Sequence, residues 1–288
     1  MSPAKEPDRR LNPYRDDLAA GYLRGEVKAT RFVEGEDKQV KVASTPLMRK
    51  PDITAPMETQ LLMGEKFRVY EEKSGWAWGQ SAQDDYVGYV DAKALAGKPC
   101  KPTHYVGAIR TFLYARADLK SRPATPLPMN AKLKIVTTRG DFSEAEGGGW
   151  VFTAHLEAVG SYERDFVTVA ERLAGTPYLW GGRDTTGLDC SGLVQCALER
   201  AGISSLRDTD MQEATLGERL PPSLETAKLM RGDLVFWKGH VGIMCDETRL
   251  VHASGYHMRV EIEPLREAVE RIARAAGPVT SIKRLSRL

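Results

Sequence analysis

The chain has 288 residues, which is long enough for two or three domains that each bury a hydrophobic core. Its side chains are 42% hydrophobic and 28% charged, as in an ordinary soluble globular protein. With 41 basic against 39 acidic residues the net charge is +2, which excludes a global electrostatic attraction to nucleic acid or to a membrane surface.

The N-terminus and the cysteines indicate the compartment. The opening residues, MSPAKEPDRRLNPYRDD, lack the apolar stretch of a signal peptide, and no apolar run reaches membrane-spanning length, so we expect a cytoplasmic protein. The four cysteines are widely spaced and form no C-x-x-C pair, which favours neither a disulfide framework nor a structural zinc site. We therefore expect no metal and no other cofactor, and the sequence leaves the oligomeric state open.

Short strands dominate the first half of the chain. Before them, the spacing of Tyr14, Leu18 and Tyr22 predicts a short helix that packs across the body of the protein. After it, polar and apolar side chains alternate within short segments, and Gly, Pro and Asp residues separate these segments. This pattern is typical of a small half-open β-barrel, and it repeats more weakly further along the chain. The sequence therefore predicts an N-terminal segment and two tandem barrels, which comprise residues 1–37, 38–97 and 98–160.

Residues 161–288 are predicted to form a third domain. A helix with an apolar face ends near Gly175, and a second helix follows from Cys190. After a polar loop come four strand-like runs, a helix and a last strand, in the order GDLVFWKG, HVGIMCDE, RLVHASG, MRVEIEPL, LREAVERIARAAG and VTSIKRL. Helices first and consecutive strands afterwards predict the fold class α+β with an antiparallel sheet.

One cysteine occupies a position where a thiol can be reactive. In GLDCSGLVQCALERAG the apolar residues recur at helical spacing and Asp189 is a suitable N-cap, so Cys190 and Ser191 fall in the first turn. Amide donors and the helix dipole stabilise a thiolate there, whereas the Asp189 carboxylate opposes ionisation. Such a cysteine needs a general base nearby to act as a nucleophile.

Two histidines could supply and orient that base. His240 opens the strand HVGIM and His252 lies in the next strand, so an antiparallel pairing can bring the two side chains together. A cysteine at a helix start that faces a sheet-borne histidine is the geometry of Cys–His nucleophilic catalysis, with His252 holding the imidazole. Strand alternation disfavours the zinc alternative because it places the ligands on opposite faces. The alternatives that stay open are an inert buried thiol and a zinc site formed by His240, Cys245, His252 and His257.

Several motifs together resemble those of the NlpC-type bacterial cell-wall cysteine peptidases. They are GTPYLWGG, GLDCSGLVQ, RDTDMQ, RGDLVFWKGHVGIM and LVHASG, and the resemblance covers the chain from about residue 165 to the C-terminus. It implies a papain-like catalytic domain, and the upstream barrels resemble bacterial SH3 domains. The three-part layout is similar to that of the γ-D-glutamyl-L-diamino acid endopeptidases, of dipeptidyl-peptidase VI type, that recycle cell-wall peptides.

The resemblance assigns the catalytic residues by position. Cys190 matches the nucleophile, His240 the base and His252 the polar group that orients the base. The thiolate would attack the carbonyl of the γ-D-Glu residue, and water would then hydrolyse the acyl-enzyme. The backbone amide of Cys190, at the helix start, is a natural donor for the oxyanion.

The resemblance also implies a substrate and the residues that bind it. The partner would be a murein-derived peptide with a free N-terminal L-Ala, followed by γ-D-Glu and by meso-diaminopimelate or Lys, a choice that the sequence leaves open. Acidic groups and a tyrosine would bind the ammonium, and a stretch that here contains Thr in place of Ser would lie near the D-Glu carboxylate. The predicted substrate-binding residues are Glu58, Tyr86, Asp189, Ser191, Asp208 and Thr209.

Three other functions are compatible with parts of the sequence. A secreted peptidoglycan hydrolase would act on the intact wall with the SH3 domains as anchors, but the expected lack of a signal sequence and the pair Glu58 and Tyr86 argue against it. A non-catalytic peptide-binding protein would not need Cys190, His240 and His252 together. An acyltransferase or amidase occurs among distant relatives of the papain-like clan, although nothing apolar flanks the site to favour it.

Overall fold

The computed structural model describes residues 6–221 and 228–286, which form two compact units. The first unit comprises residues 1–105, 112–127 and 131–156. The second unit comprises residues 106–111, 128–130 and 157–288. Three short pieces of the region predicted as the second barrel, 106–111, 128–130 and 157–160, therefore belong to the second unit. Within the described ranges, none of the helices combines the length and the apolar character needed to span a membrane.

The N-terminal segment is extended, so the helix predicted over Tyr14, Leu18 and Tyr22 is wrong. The consecutive residues from Leu18 to Ala20 are all buried, which a helix lying on a surface cannot achieve because it buries only one face. They pack in one cluster with Trp78 of the following sheet, whereas Tyr22 is 58% exposed. The segment contains strand β1, Leu18–Ala20, a 3-10 turn, Gly21–Leu23, and strand β2, Arg31–Val33, which is parallel to β1.

The sheet that follows the β1–β2 pair has seven antiparallel strands. The strands are β3, Glu36–Val40, β4, Ser44–Met48, β5, Met57–Leu62, β6, Lys66–Lys73, β7, Trp76–Ser81, β8, Val87–Asp91, and β9, Leu95–Ala96. Their spatial order is β5-β4-β8-β7-β6-β3-β9. The predicted alternation is present in β6, where Phe67 and Val69 are buried and Lys66 and Arg68 are exposed.

The next eight strands follow the same short, hairpin-rich pattern. β10 pairs with β13, and β11, β16, β15 and β14 are neighbours in that order, all antiparallel. The strands are β10, His104–Val106, β11, Arg110–Tyr114, β12, Pro123–Pro128, β13, Lys132–Leu133, β14, Ile135–Arg139, β15, Phe142–Ala145, β16, Trp150–Phe152, and β17, Leu156–Ala158.

The second unit is built on a six-stranded antiparallel sheet, which confirms the predicted α+β fold class. Its helices are α1, Phe166–Arg172, α2, Cys190–Arg200, α3, Thr209–Thr215, and α4, Leu265–Ala276. Its strands are β18, Arg183–Asp184, β19, Gly187–Leu188, β20, Glu218–Arg219, β21, Leu234–Trp237, β22, His240–Met244, β23, Arg249–Ser254, β24, Arg259–Pro264, and β25, Ser281–Arg284. The large sheet has the order β20-β25-β21-β22-β23-β24. Helix α3 replaces part of a predicted loop, because a polar seven-residue segment carries no apolar period.

Helices cover both faces of this sheet. Leu234 and Phe236 of β21 share a core with α1 and α2, whereas Val235 and Trp237 pack in the core that contains α4. Burial on both faces explains why the strands read as continuous apolar runs in the sequence. The arrangement also brings the start of α2 to the end of the sheet where β22 begins.

Candidate active site

The candidate nucleophile is held at the start of a buried helix. Cys190 is the first residue of α2, and the Asp189 carboxylate caps that helix by accepting the backbone N–H of Gly192 at 2.7 Å. Cys190 and Ser191 therefore lie in the first turn, as the sequence predicted. The Cys190 amide has no acceptor within the helix, so it is available to a developing negative charge.

The Cys190 sulfur is enclosed by polar groups from α3 and β22. Its Sγ lies 3.8 Å from Oγ1 of Thr209 and 3.9 Å from the carbonyl oxygen of Gly239, and the backbone N–H of Val241 also donates to it. Burial, followed by the nearby Asp189 carboxylate, raises the pKa of the thiol to about 11 despite these contacts. The resting group is therefore a neutral thiol.

His240 lies between the two residues whose backbone groups contact the sulfur. Its Nε2 is 2.7 Å from Nδ1 of His252 on the neighbouring strand, and the two ring centroids are 5.0 Å apart. Burial, the adjacent His252 and the charge of Arg271 lower the pKa of His240 to about 3, so the imidazole is neutral at rest. Because Nε2 is engaged with His252, Nδ1 is the ring nitrogen left to act as a base.

His252 is anchored by the carboxylate of Glu263, a residue that no sequence motif indicated. The Nε2 of His252 lies 2.6 Å from Oε1 of Glu263 in β24, and the two side chains are buried. Arg271 of α4 donates to both oxygens of Glu263, at 2.7 and 2.5 Å. Burial raises the pKa of this carboxyl, but the hydrogen bonds from His252 and Arg271 outweigh it and hold the pKa well below its usual range. Glu263 is therefore an anion behind the histidine pair.

A second polar network, built on Arg207, surrounds the helix start. This guanidinium is 1% exposed and donates to Oδ2 of Asp189 and to the Ser191 hydroxyl, each at 2.7 Å. Asp189 also accepts the N–H groups of Gly181 and Gly192 and the Ser191 hydroxyl. Four donors thus occupy its two oxygens, and a substrate ammonium could bind Asp189 only by displacing one of them. In this structure Asp189 and Ser191 fix the backbone around the nucleophile.

Two further positions lie close to the nucleophile. Burial, followed by the proximity of the ionisable groups of Cys190 and Asp189, raises the pKa of Tyr178, within GTPYLWGG, well above its ordinary value. Its hydroxyl therefore stays protonated and can donate a hydrogen bond beside the sulfur, a role that the motif alone did not reveal. Asp208 is the N-cap residue of α3 and directly precedes Thr209.

Glu58 and Tyr86 lie together in the first unit. The Tyr86 hydroxyl donates to Oε2 of Glu58 at 3.3 Å, and Nε of Arg49 donates to Oε1 at 2.6 Å. Tyr86 is 2% exposed, and the side chain of Glu58 is 13% exposed. The predicted acid and tyrosine are thus hydrogen-bonded to each other, while their action on a substrate stays a prediction.

The zinc alternative does not fit the part of the chain that the structure describes. Within it, no group of three or more His, Cys, Asp or Glu side chains is placed to hold a metal ion. Cys245 packs in the core that contains α1 and α2, whereas His252 bonds to Glu263, which is paired with Arg271 of α4. The proposed ligands therefore lie on opposite faces of the sheet, as the strand alternation indicated.

Known protein families match a segment of each of the two units. A family model described as the NlpC/P60 family matches residues 175–272, the range that contains Cys190, His240 and His252. Residues 175–272 form an NlpC/P60 cysteine peptidase domain. A second family model, described as the bacterial dipeptidyl-peptidase Sh3 domain, matches residues 47–95. The NlpC/P60 domain is therefore preceded by a bacterial SH3 domain.

The similarity to known proteins extends beyond the NlpC/P60 domain. The chain is 29% identical over 240 residues to gamma-D-glutamyl-L-lysine dipeptidyl-peptidase of Bacillus subtilis, which covers 74% of this chain and 77% of that protein. It is 23% identical over 249 residues to dipeptidyl-peptidase 6 of Lysinibacillus sphaericus, and this similarity covers 77% of this chain and 89% of that protein. A crystal structure of an NlpC/P60 family protein from Bacillus cereus has a TM-score of 0.72 at 19% identity, covering 86% of this chain and 99% of that one. This likeness confirms the fold.

Proposed function

We propose that the chain hydrolyses the bond between γ-D-Glu and the L-diamino acid of murein peptides with a free N-terminal L-Ala, in cell-wall peptide recycling. The observation that carries the proposal is an NlpC/P60 domain in which the hydrogen-bonded pair His240–His252 begins at the same strand start whose backbone groups contact the Cys190 sulfur. Two relatives, the gamma-D-glutamyl-L-lysine dipeptidyl-peptidases of Bacillus subtilis and Bacillus cereus, support the proposal, because the similarity spans 77% and 71% of their respective lengths. A cytoplasmic location belongs to the same proposal, and fractionation of the producing cells would test it.

The geometry supports a two-step acyl transfer. Nδ1 of His240 takes the thiol proton of Cys190 as the sulfur attacks the γ-carbonyl of D-Glu, and the Cys190 amide donates to the oxyanion. The tetrahedral intermediate collapses to a thioester, and the imidazolium returns its proton to the departing amine of the diamino acid. Water, deprotonated by His240, then hydrolyses the thioester and restores the thiol. Because both groups are neutral at rest, the proton moves only during attack on a bound substrate.

The deciding experiment is a digest followed by mass spectrometry. The substrates are L-Ala-γ-D-Glu-meso-diaminopimelate, its Lys counterpart and the N-acetylated form of each, with the Cys190→Ala variant as the blank. Release of L-Ala-D-Glu from the free peptides alone supports the proposal and shows which diamino acid is accepted. No cleavage of any of the four peptides would refute the assigned substrate. Repeating the digest with Glu58→Gln and Tyr86→Phe tests whether these residues select the free ammonium.

A second candidate is a hydrolase of intact peptidoglycan. The observation that favours it is a similarity of 32% identity over 111 residues to peptidoglycan endopeptidase RipB of Mycobacterium tuberculosis, which covers 33% of this chain and 44% of that protein. Purified sacculi and glycan-linked stem peptides therefore belong in the same digest. Cleavage of these substrates at a rate similar to that of the free peptides would favour the wall hydrolase over the recycling enzyme.

A further inference from the structure

We propose that Glu263 is a positioning residue that fixes which ring nitrogen of His240 carries the proton, so that Nδ1 is free to accept the proton of Cys190. The proposal rests on the Cys190–His240 chemistry of the proposed function, and it does not depend on which peptide is cleaved. Neither the family matches nor the sequence motifs assign a role to Glu263.

The contacts form a single line from Arg271 of α4 to His240. Arg271 donates two hydrogen bonds to Glu263, Glu263 lies 2.6 Å from Nε2 of His252, and Nδ1 of His252 lies 2.7 Å from Nε2 of His240. Each of these distances is short enough for a strong hydrogen bond. Each link therefore has to contain one donor and one acceptor.

The charge of Glu263 decides the direction of every link. A carboxylate held by a guanidinium accepts hydrogen bonds only, so Nε2 of His252 has to be the protonated nitrogen. In a neutral imidazole the other nitrogen is then an acceptor, so Nδ1 of His252 accepts from Nε2 of His240. His240 thus carries its proton on Nε2, and its Nδ1 has an unprotonated lone pair. The reverse tautomers would place a proton on Nδ1 of His240, which could no longer act as the base.

Several charged groups surround Glu263, and among the residues that the structure describes the recorded partner of Nε2 of His252 is Glu263. Arg271 comes from α4 and His252 from β23, while Nε2 of His257, in the turn before β24, lies 3.6 Å from Oε2 of Glu263. Glu261, two residues earlier in β24, pairs with Arg259. When His240 takes the thiol proton, the line of hydrogen bonds also lets the Glu263 charge stabilise the imidazolium.

The first test reads the tautomers in the unmodified protein. Nitrogen NMR of histidine-labelled protein distinguishes protonated from unprotonated ring nitrogens, and His240→Gln and His252→Gln assign the signals. The expected result at pH 7 is a protonated Nε2 and an unprotonated Nδ1 for both histidines. A protonated Nδ1 on His240 overturns the proposal, and this test does not require any Glu263 variant to fold.

The second test uses Glu263→Gln, whose amide can donate to Nε2 of His252 and so reverse the line of hydrogen bonds. The readout is the rate of Cys190 alkylation by iodoacetamide at pH 7, with Cys190→Ala to subtract the other cysteines. We expect a decrease of roughly 10- to 100-fold, as is typical when a group that orients a reactive side chain is lost. Because no peptide is used, this result is independent of the proposed substrate.

Asp233→Asn is the matched control for the Glu263 variant. Asp233, which directly precedes β21, is also buried and also accepts two hydrogen bonds from an arginine, Arg284, each at 2.7 Å. In the described part of the chain the Asp233 carboxylate bonds to Met230 and Arg284 and to neither histidine. The alkylation rate of the control should therefore stay within about twofold of the wild type, as expected for sites that do not interact. Equal effects of Glu263→Gln and Asp233→Asn, or no effect of Glu263→Gln, would reduce Glu263 to a structural residue.

Discussion

At the scale of single residues, the candidate nucleophile and the candidate base are both neutral at rest. Burial raises the pKa of Cys190 to about 11 and lowers that of His240 to about 3, so neither group is charged between these values. The sequence left this point open, because the helix start favours a thiolate and Asp189 opposes it. The structure shows that burial decides the balance, which a motif cannot report.

The low pKa of His240 predicts a pH dependence of stability. In the unfolded chain His240 titrates near 6.5, and in the folded protein near 3. Between these values the unfolded state binds more protons, so the unfolding free energy rises with pH across that window by up to about 1.4 kcal/mol per pH unit at this site. His240→Gln lacks this contribution, so its stability relative to wild type should increase as the pH falls from 6.5 towards 3 and stay constant above that window.

Urea unfolding followed by the amide signals of the second unit between pH 4 and 8 measures this difference. His104→Gln is the control, because His104 lies in the first unit and should leave these signals unchanged. A constant difference between His240→Gln and wild type at all pH values would contradict the neutral resting state of His240.

At the scale of elements, the start of α2 depends on a buried ion pair as well as on a helix cap. Asp189 caps the helix, and Arg207 joins Asp189 to Ser191 from the segment before α3. The cap was visible in the sequence because it is local, whereas Arg207 lies 18 residues further along the chain. The nucleophile is therefore positioned by two parts of the chain that meet only in the fold.

Replacing Arg207 by Met should destabilise the second unit strongly. The change leaves the buried Asp189 carboxylate without its counter-ion, and breaking a buried pair in this way typically costs about 3–5 kcal/mol. Chemical unfolding measures the loss, and the peptidase rate should fall with it because the Cys190 amide and sulfur shift.

Arg266→Met is the matched control for the Arg207 variant, because Arg266 pairs with Glu270 on the surface of α4 at 3.4 Å and is 91% exposed. Its effect should stay within about 0.5 kcal/mol, as for most surface substitutions. Similar losses for both variants would mean that the Arg207 pair contributes no more than a surface pair.

At the scale of the whole molecule, the second unit includes residues that precede it in sequence. Met129 is fully buried in the core that also contains α1 and α2, and the Asn130 amide donates to the backbone oxygen of Cys196 in α2 at 3.1 Å. Both residues belong to the range predicted as the second barrel. The predicted boundary at 160 therefore omits side chains that complete the peptidase core.

Met129→Ala should lower the unfolding free energy of the second unit. Truncating a buried methionine removes apolar contacts and leaves a cavity, which typically costs about 2–5 kcal/mol. Met129→Leu conserves the volume and should cost less than about 1.5 kcal/mol. Urea unfolding of the full chain, followed by amide signals of α2, measures both variants. A wild-type value for Met129→Ala would show that residues 128–130 do not support this core.

The sequence alone predicted the elements of the second unit because their signals are local. Apolar spacing predicted α1, α2 and α4, alternating or continuous apolar runs predicted strands β21 to β25, and Asp189 indicated where α2 begins. The same spacing argument failed over residues 14–22, where consecutive buried side chains pack on a neighbouring sheet instead of forming a helix. Helix α3 was missed because it has no apolar period.

For the site, the sequence by itself predicted the candidate residues: a cysteine at a helix start and two histidines on adjacent strands. Only the tertiary structure decided how they are charged and oriented, because burial sets the two pKa values and the Glu263–Arg271 pair sets the direction of the hydrogen bonds. Glu263 and Arg207 act across strands and loops, and such contacts leave no period or spacing in a single sequence. Long-range packing therefore decides the charge and the hydrogen bonds of these candidate residues, which the motif alone does not.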